Sequence, residues 1–118
     1  MTVARLFCVD RSGRNRLVLL VGPIAIKLPS PRCWRDFLFG LLNNLNEAAW
    51  HGEQACHCPV LWSAPLGLAV VMPRATILDD AAFRALDYVI PHLPGVERKA
   101  SSWGRLGERL VAVDYGWR

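Results

Sequence analysis

The sequence predicts an α+β domain: an antiparallel sheet of about five short strands, one long helix packed on it, and a small C-terminal helix-loop-strand unit. Three observations carry that expectation. Short β-branched and apolar runs punctuated by turn residues crowd residues 5–28 and return at 60–72. Trp34, Phe37, Leu38, Leu41, Leu42, Leu45, Ala48 and Ala49 recur at helical spacing. The last stretch closes on Arg109-Leu110-Val111-Ala112-Val113, an apolar strand that delivers Asp114 to its tip just before Tyr115-Gly116.

Arg5-Leu6-Phe7-Cys8-Val9 reads as the first strand, and Asp10-Arg11-Ser12-Gly13-Arg14-Asn15 as a hairpin turn. Arg16–Val21 is the second strand, Gly22-Pro23 a turn, and Ile24–Leu28 the third. Lys27 falls inside that apolar strand, where an ammonium needs a partner or the sheet edge. Ser30-Pro31 supplies an N-cap and a first helical residue, so the helix is expected to run from there to Trp50 with its apolar stripe on the sheet. Val60–Ala64 and Leu68–Met72 form another hairpin around Pro65-Leu66-Gly67. Asp79-Asp80 suits the dipole of a helix over about 79–92, with Phe83, Leu86, Val89 and Ile90 turned inward. Pro94-Gly95 ends it, and a polar turn and a second turn around Arg105–Glu108 precede the last strand. Trp34, Trp50, Trp62 and Trp103 stand in or beside apolar segments and are expected in the core, with Trp117 exposed.

With 118 residues and 53% hydrophobic content, 1–118 is expected to fold as a single domain with a core of its own. The net charge of +4 is scattered and lacks a Lys/Arg run, so nucleic-acid binding is unsupported. The longest apolar run, 17–26, is broken by Gly22-Pro23 and far too short to span a bilayer, so no membrane role is expected. No export signal is read at the N-terminus. Cys8, Cys33, Cys56 and Cys58 are therefore expected as reduced thiols in a cytoplasm. His51, Cys56, His57 and Cys58 cluster near Cys33, but Cys-His-Cys in succession lacks the gap that zinc ligands usually keep, which argues against zinc.

Glu97-Arg98-Lys99-Ala100-Ser101-Ser102, then a strand, then Asp114-Tyr115-Gly116, resembles the catalytic loop and metal-binding triplet of the protein-kinase-like fold. In that resemblance Lys99 and Asp114 match in type, Glu97 stands in the place of the catalytic aspartate, and Ser102 in that of the metal-binding asparagine. Ala25-Ile26-Lys27 looks like the third-strand lysine motif, and Met72-Pro73-Arg74-Ala75 like the hinge, with Met72 and Arg74 beside the nucleotide. The residues 1–75 would make a small-lobe-like sheet plus helix, and 76–118 a truncated catalytic core. Such miniature versions occur in short bacterial and phage-encoded proteins, and for a phage protein the compartment would be the host cytoplasm.

The resemblance implies ATP and Mg²⁺ in a cleft between Lys27, the hinge and Asp114. Two partners for Lys27 stay open. Spacing favours Glu47, twenty residues on, although it lies opposite the apolar stripe; Glu53 would lie nearer that stripe if the helix continued. The glycine-rich loop is reduced to Gly13, flanked by Arg11, Arg14 and Arg16, whose guanidiniums could replace backbone amides on a phosphate. Glutamate in place of aspartate moves a carboxylate by a methylene, and about 1 Å of misplacement can cost roughly 10²-fold in rate. The expected function is therefore a pseudokinase-like nucleotide-binding or protein-interaction domain. The alternatives are a minimal Mg²⁺-dependent phosphotransferase with Glu97 as base, and a scaffold that binds no nucleotide, as a homodimer or with a protein partner.

Overall fold

A computed structural model describes residues 7–10, 16–52, 55–94 and 96–116. Strands β1 (Phe7–Asp10), β2 (Arg16–Val21) and β3 (Ile24–Pro29) form an antiparallel meander. The β2–β3 hairpin closes on Gly22-Pro23, which leaves Val21 opposite Ile24. Helix α1 (Trp34–Trp50) follows, then β4 (Trp62–Ser63) and β5 (Val70–Pro73). β5 inserts beside β3, giving a five-stranded antiparallel sheet in the order β1-β2-β3-β5-β4. A second sheet is built from β6 (Thr76–Ile77), β7 (Trp103–Leu106) and β8 (Arg109–Ala112), with the short helix α2 (Asp80–Leu86) between its first two strands. The fold is thus a compact α+β arrangement of two helices and two antiparallel sheets.

The expected C-terminal helix-loop-strand unit gains two strands. Trp103-Gly104-Arg105-Leu106 is a strand and not part of a turn, because the two-residue hairpin Gly107-Glu108 sets Leu106 opposite Arg109. Helix α2 is shorter than expected. Asp79 caps it, its carboxylate accepting from Ala82 N at 2.7 Å, but after Leu86 the backbone tightens into turns that bring both Val89 N and Ile90 N to Leu86 O. Ile90 is buried and Val89 is half exposed, so Val89 does not join the core. Ser30 does not cap α1. Its hydroxyl accepts from Arg32 N at 3.3 Å within the preceding turn, and the helix starts a turn later, from Cys33.

The orientation of α1 is the largest departure from the sequence expectation. Its buried residues are Asp36, Gly40, Asn43, Asn44 and Glu47, whereas Trp34 is 77% exposed and Leu38, Leu42 and Leu45 about half. The helix turns its polar side to the molecule and its apolar stripe outward. The physical reason lies in the sheet: Arg16 and Lys27 are themselves buried, and only the polar side of α1 carries groups that can pair with them. Of the tryptophans, Trp103 is fully buried, Trp50 half-buried, and Trp34 and Trp62 are exposed; Trp117 lies outside the described residues. The core gathers Val70, Met72, Leu78, Ile90, Trp103, Val111 and Tyr115. Among the described residues, no helix is long and apolar enough to cross a membrane.

Candidate functional site

Five polar residues, from β2, β3, α1 and the segment after β8, meet in one network. β3 places Lys27 between Val18 and Val70 of its neighbours, and β2 begins with Arg16 on the same side of the sheet. Asn44 and Glu47, one helical turn apart on α1, face both cations. Behind β8, the segment Val113–Gly116 runs under the helix.

Glu47 is the hub. Its carboxylate accepts from Arg16 Nη1 at 2.6 Å and Nη2 at 3.1 Å, from Lys27 Nζ at 3.0 Å, and from the Tyr115 backbone N at 3.1 Å. Arg16 also donates to Asp114 Oδ1 at 2.9 Å and to Asn44 Oδ1 at 3.2 Å. Lys27 donates to the Val113 carbonyl as well. Asn44 spends its amide on the carbonyls of Lys27, at 3.0 Å, and Gly67, at 2.9 Å. Arg16, Lys27, Asn44 and Glu47, the buried members, each bond at least two partners, as a buried charge cluster requires, whereas the partly exposed Asp114 bonds Arg16.

Burial alone would raise the Glu47 pKa, but Arg16 and Lys27 outweigh it and hold the carboxyl at about 2. Burial opposes the Arg16 charge, yet Glu47 and Asp114 keep the guanidinium above its ordinary value. For Lys27 the balance falls the other way: burial first, then the neighbouring guanidinium, lowers the ammonium despite Glu47. Of the two cations, Lys27 is accordingly the one whose charge is held less firmly.

The network floors one end of a cleft of about 250 Å³, a little below the usual size of small-ligand sites. Its polar end is Arg16, Lys27 and Asp114; Val18, Leu20, Ala25, Met72 and Ile77 make apolar walls; Lys99 and Ser101 stand at the rim. Asp114 keeps about a third of its side chain exposed, so the cleft opens onto it.

The structure thus brings Lys27, Glu47, Met72, Lys99 and Asp114 to one place. Glu97 and Ser102 stand differently. Glu97 is exposed and pairs with Lys99 at 3.2 Å, and it is not among the cleft-lining residues. Ser102 is buried, its carbonyl accepting from Val113 N, while its neighbour Ser101 faces the cleft. Pro73 and Ala75 line the hinge side, but the Arg74 N–H is already given to Pro23 O at 2.8 Å. Glu53, Arg11, Gly13 and Arg14 lie outside the described residues.

Sequence reasoning placed Arg16 only at the edge of a phosphate-binding turn and missed Asn44 and Tyr115. Tyr115 is fully buried, its hydroxyl donating to Cys58 O at 2.6 Å and its ring stacked 4.0 Å from that of His57. Burial raises its pKa and keeps the phenol protonated. The signal for Asn44 was available: two asparagines and a glutamate on one side of a helix are unexpected unless that side meets charge. His57, Cys56 and Cys58 are engaged in packing, and burial raises both thiols. Among the described residues, no group of three or more His, Cys, Asp or Glu side chains is arranged to hold a metal ion. No family model, curated protein or solved structure matches this chain.

Proposed function

We propose that the chain is a pseudokinase-like binding domain that takes a nucleotide-class ligand, a flat heteroaromatic ring with a phosphoryl tail, in this cleft without turning it over. The observation that carries the reading is the Arg16–Lys27–Glu47–Asp114 network at one end of a cleft with apolar walls. Apolar walls suit a ring, and a guanidinium and an ammonium fixed by Glu47 suit an anion at its end. Holding the cations in place beforehand lowers the ordering cost of binding.

Binding without turnover follows from the positions of the remaining groups. A base must reach the proton it takes, and the Glu97 carboxylate is exposed and engaged by Lys99. Mg²⁺ takes one or two carboxylates together with phosphates and water. Here Asp114 already bonds Arg16 and Ser102 is buried off the cleft, so this donor set does not fit the two metal ligands that the kinase resemblance implies. The Arg16 guanidinium supplies the positive charge beside Asp114.

The test is calorimetric titration of ATP in the presence of EDTA, on the wild type, Lys27→Met and Ala25→Leu. The wild type is expected to bind without metal. Removing the Lys27 charge is expected to weaken binding roughly ten- to a hundredfold, the worth of one charge-assisted hydrogen bond. Ala25→Leu, which fills the apolar wall and leaves the cations untouched, is expected to weaken it as well. Absence of binding at millimolar ATP, or equal binding by all three proteins, would sink the proposal. Binding by the wild type that appears only with Mg²⁺ would shift the reading to the metal-dependent phosphotransferase.

A further inference from the structure

Helix α1 carries an apolar surface that is exposed among the described residues. Trp34, Leu38, Leu42, Leu45 and Ala49 share one side of it, opposite Asn43, Asn44 and Glu47. Beside them the turn at Pro65–Gly67 packs on Leu41 and Leu45 and exposes Leu66 and Leu68. Leu66 is 75% exposed and sits at φ +65, a left-handed conformation that a leucine adopts only at a cost. Backbone strain that presents a leucine to solvent, next to other exposed leucines, marks a surface shaped for contact. Together these side chains expose on the order of 600 Å² of apolar surface, at the top of the range for the largest patch on a monomer and approaching one side of a standard interface of ~800 Å² per partner.

We infer that this face binds the same face of a second copy, with the two α1 helices antiparallel about a two-fold axis between residues 41 and 42. The side chains are self-complementary in that arrangement and in no parallel one. Trp34 meets Ala49 of the second copy, Leu38 meets Leu45, and Leu42 packs near the axis. The bulkiest group faces the smallest, as interdigitating layers require. The ridge Trp34–Leu38–Leu42 and the ridge Leu41–Leu45–Ala49 are both i, i+4 rows, so the helices cross at about −50°.

Charge favours the same orientation. The last turn of α1 contains no basic residue, so its C-terminal carbonyls lack a cation from their own helix. Arg35 is exposed on the flank of the apolar stripe, and the two-fold brings it alongside the second copy's residue 48, at that C-terminal turn. A parallel pairing would set Trp34 against Trp34 and Arg35 beside Arg35.

Sedimentation velocity over a concentration series reaching the high micromolar range tests this on the whole chain. The wild type is expected to be dimeric at the upper concentrations. Leu42→Glu and Leu42→Lys are each expected to be monomeric, and an equimolar mixture of the two to recover the dimer through opposite charges at the axis. Ala49→Trp enlarges the apolar surface but collides with Trp34 of the second copy, and is expected to weaken dimerisation at least tenfold. A face that is only adhesive would associate more strongly after that change, which overturns the proposal. So does a wild type that stays monomeric throughout, or a charge-swapped mixture that stays monomeric while each variant alone retains the wild-type melting curve. Should a Leu42 variant not fold, the wild type and Ala49→Trp decide the matter by themselves.

Discussion

Glu47→Gln is expected to cost the protein about 3–5 kcal/mol, the usual penalty for removing one partner of a buried ion pair. The substitution keeps the shape of the side chain and removes its charge. Arg16 and Lys27 then remain buried, with Asp114 the nearest carboxylate and only Arg16 bonded to it. Set against a total stability of ~5–15 kcal/mol, this is enough to unfold a marginal domain. Urea denaturation should show a lower midpoint with an unchanged slope, since the surface exposed on unfolding is the same. A loss under about 1 kcal/mol would mean that the network is not held together by this charge.

The pH dependence offers a control on the same residue. Glu47 is held at about 2 in the folded chain and titrates near 4.5 unfolded, so between those values the unfolded state binds the extra proton. Stability from Glu47 is therefore complete above about pH 4.5 and drains away as pH falls toward 2, by about 3 kcal/mol in all. Glu47→Gln should lack that component of the acid transition. An acid transition of the same size in both proteins would place its origin elsewhere.

Gly67→Ala is expected to cost about 2–4 kcal/mol from strain and overpacking together. A Cβ there would lie 2.3 Å from Leu41 O and 3.0 Å from Leu45 Cγ, and the residue sits at φ +77. The backbone oxygen of α1 cannot step aside without moving the helix. The disturbance reaches the cleft, because Gly67 O accepts from Asn44, which in turn accepts from Arg16. Gly22→Ala is the matched comparison: it has φ +53 and nothing within 4 Å, so it should lose only the conformational part, about 1 kcal/mol. Thermal melts of the two variants should differ clearly. Equal losses would show that the close approach of the turn to α1 carries no energy.

Much of the chain was readable because its turns are local. Gly22-Pro23 fixed a hairpin, Lys27 announced itself as a charge inside an apolar strand, and its spacing to Glu47 pointed to the partner. Helix α1 was located by its periodicity but given the wrong face. Periodicity reports that two sides of a helix differ; it does not report which side the rest of the molecule needs. Here the need was set by Arg16 and Lys27 on distant strands, and by the Tyr115 amide that reaches Glu47 from the C-terminal end. Ser101 and Ser102 show the same limit at finer grain. Adjacent serines in one turn face opposite environments, and only packing around Trp103 and Val113 decides which one meets the cleft.

The ion network also determines what can be separated from what. Its members stand at positions 16, 27, 47 and 114, and each carboxylate bonds a cation far upstream in the chain. A cut anywhere between Arg16 and Asp114 parts at least one cation from its carboxylate. No fragment that begins after Arg16 or stops before Asp114 carries the whole site, and no single loop could be grafted elsewhere to transfer it. The cleft's polar end is therefore assembled only once the chain from β2 to the segment after β8 has folded together.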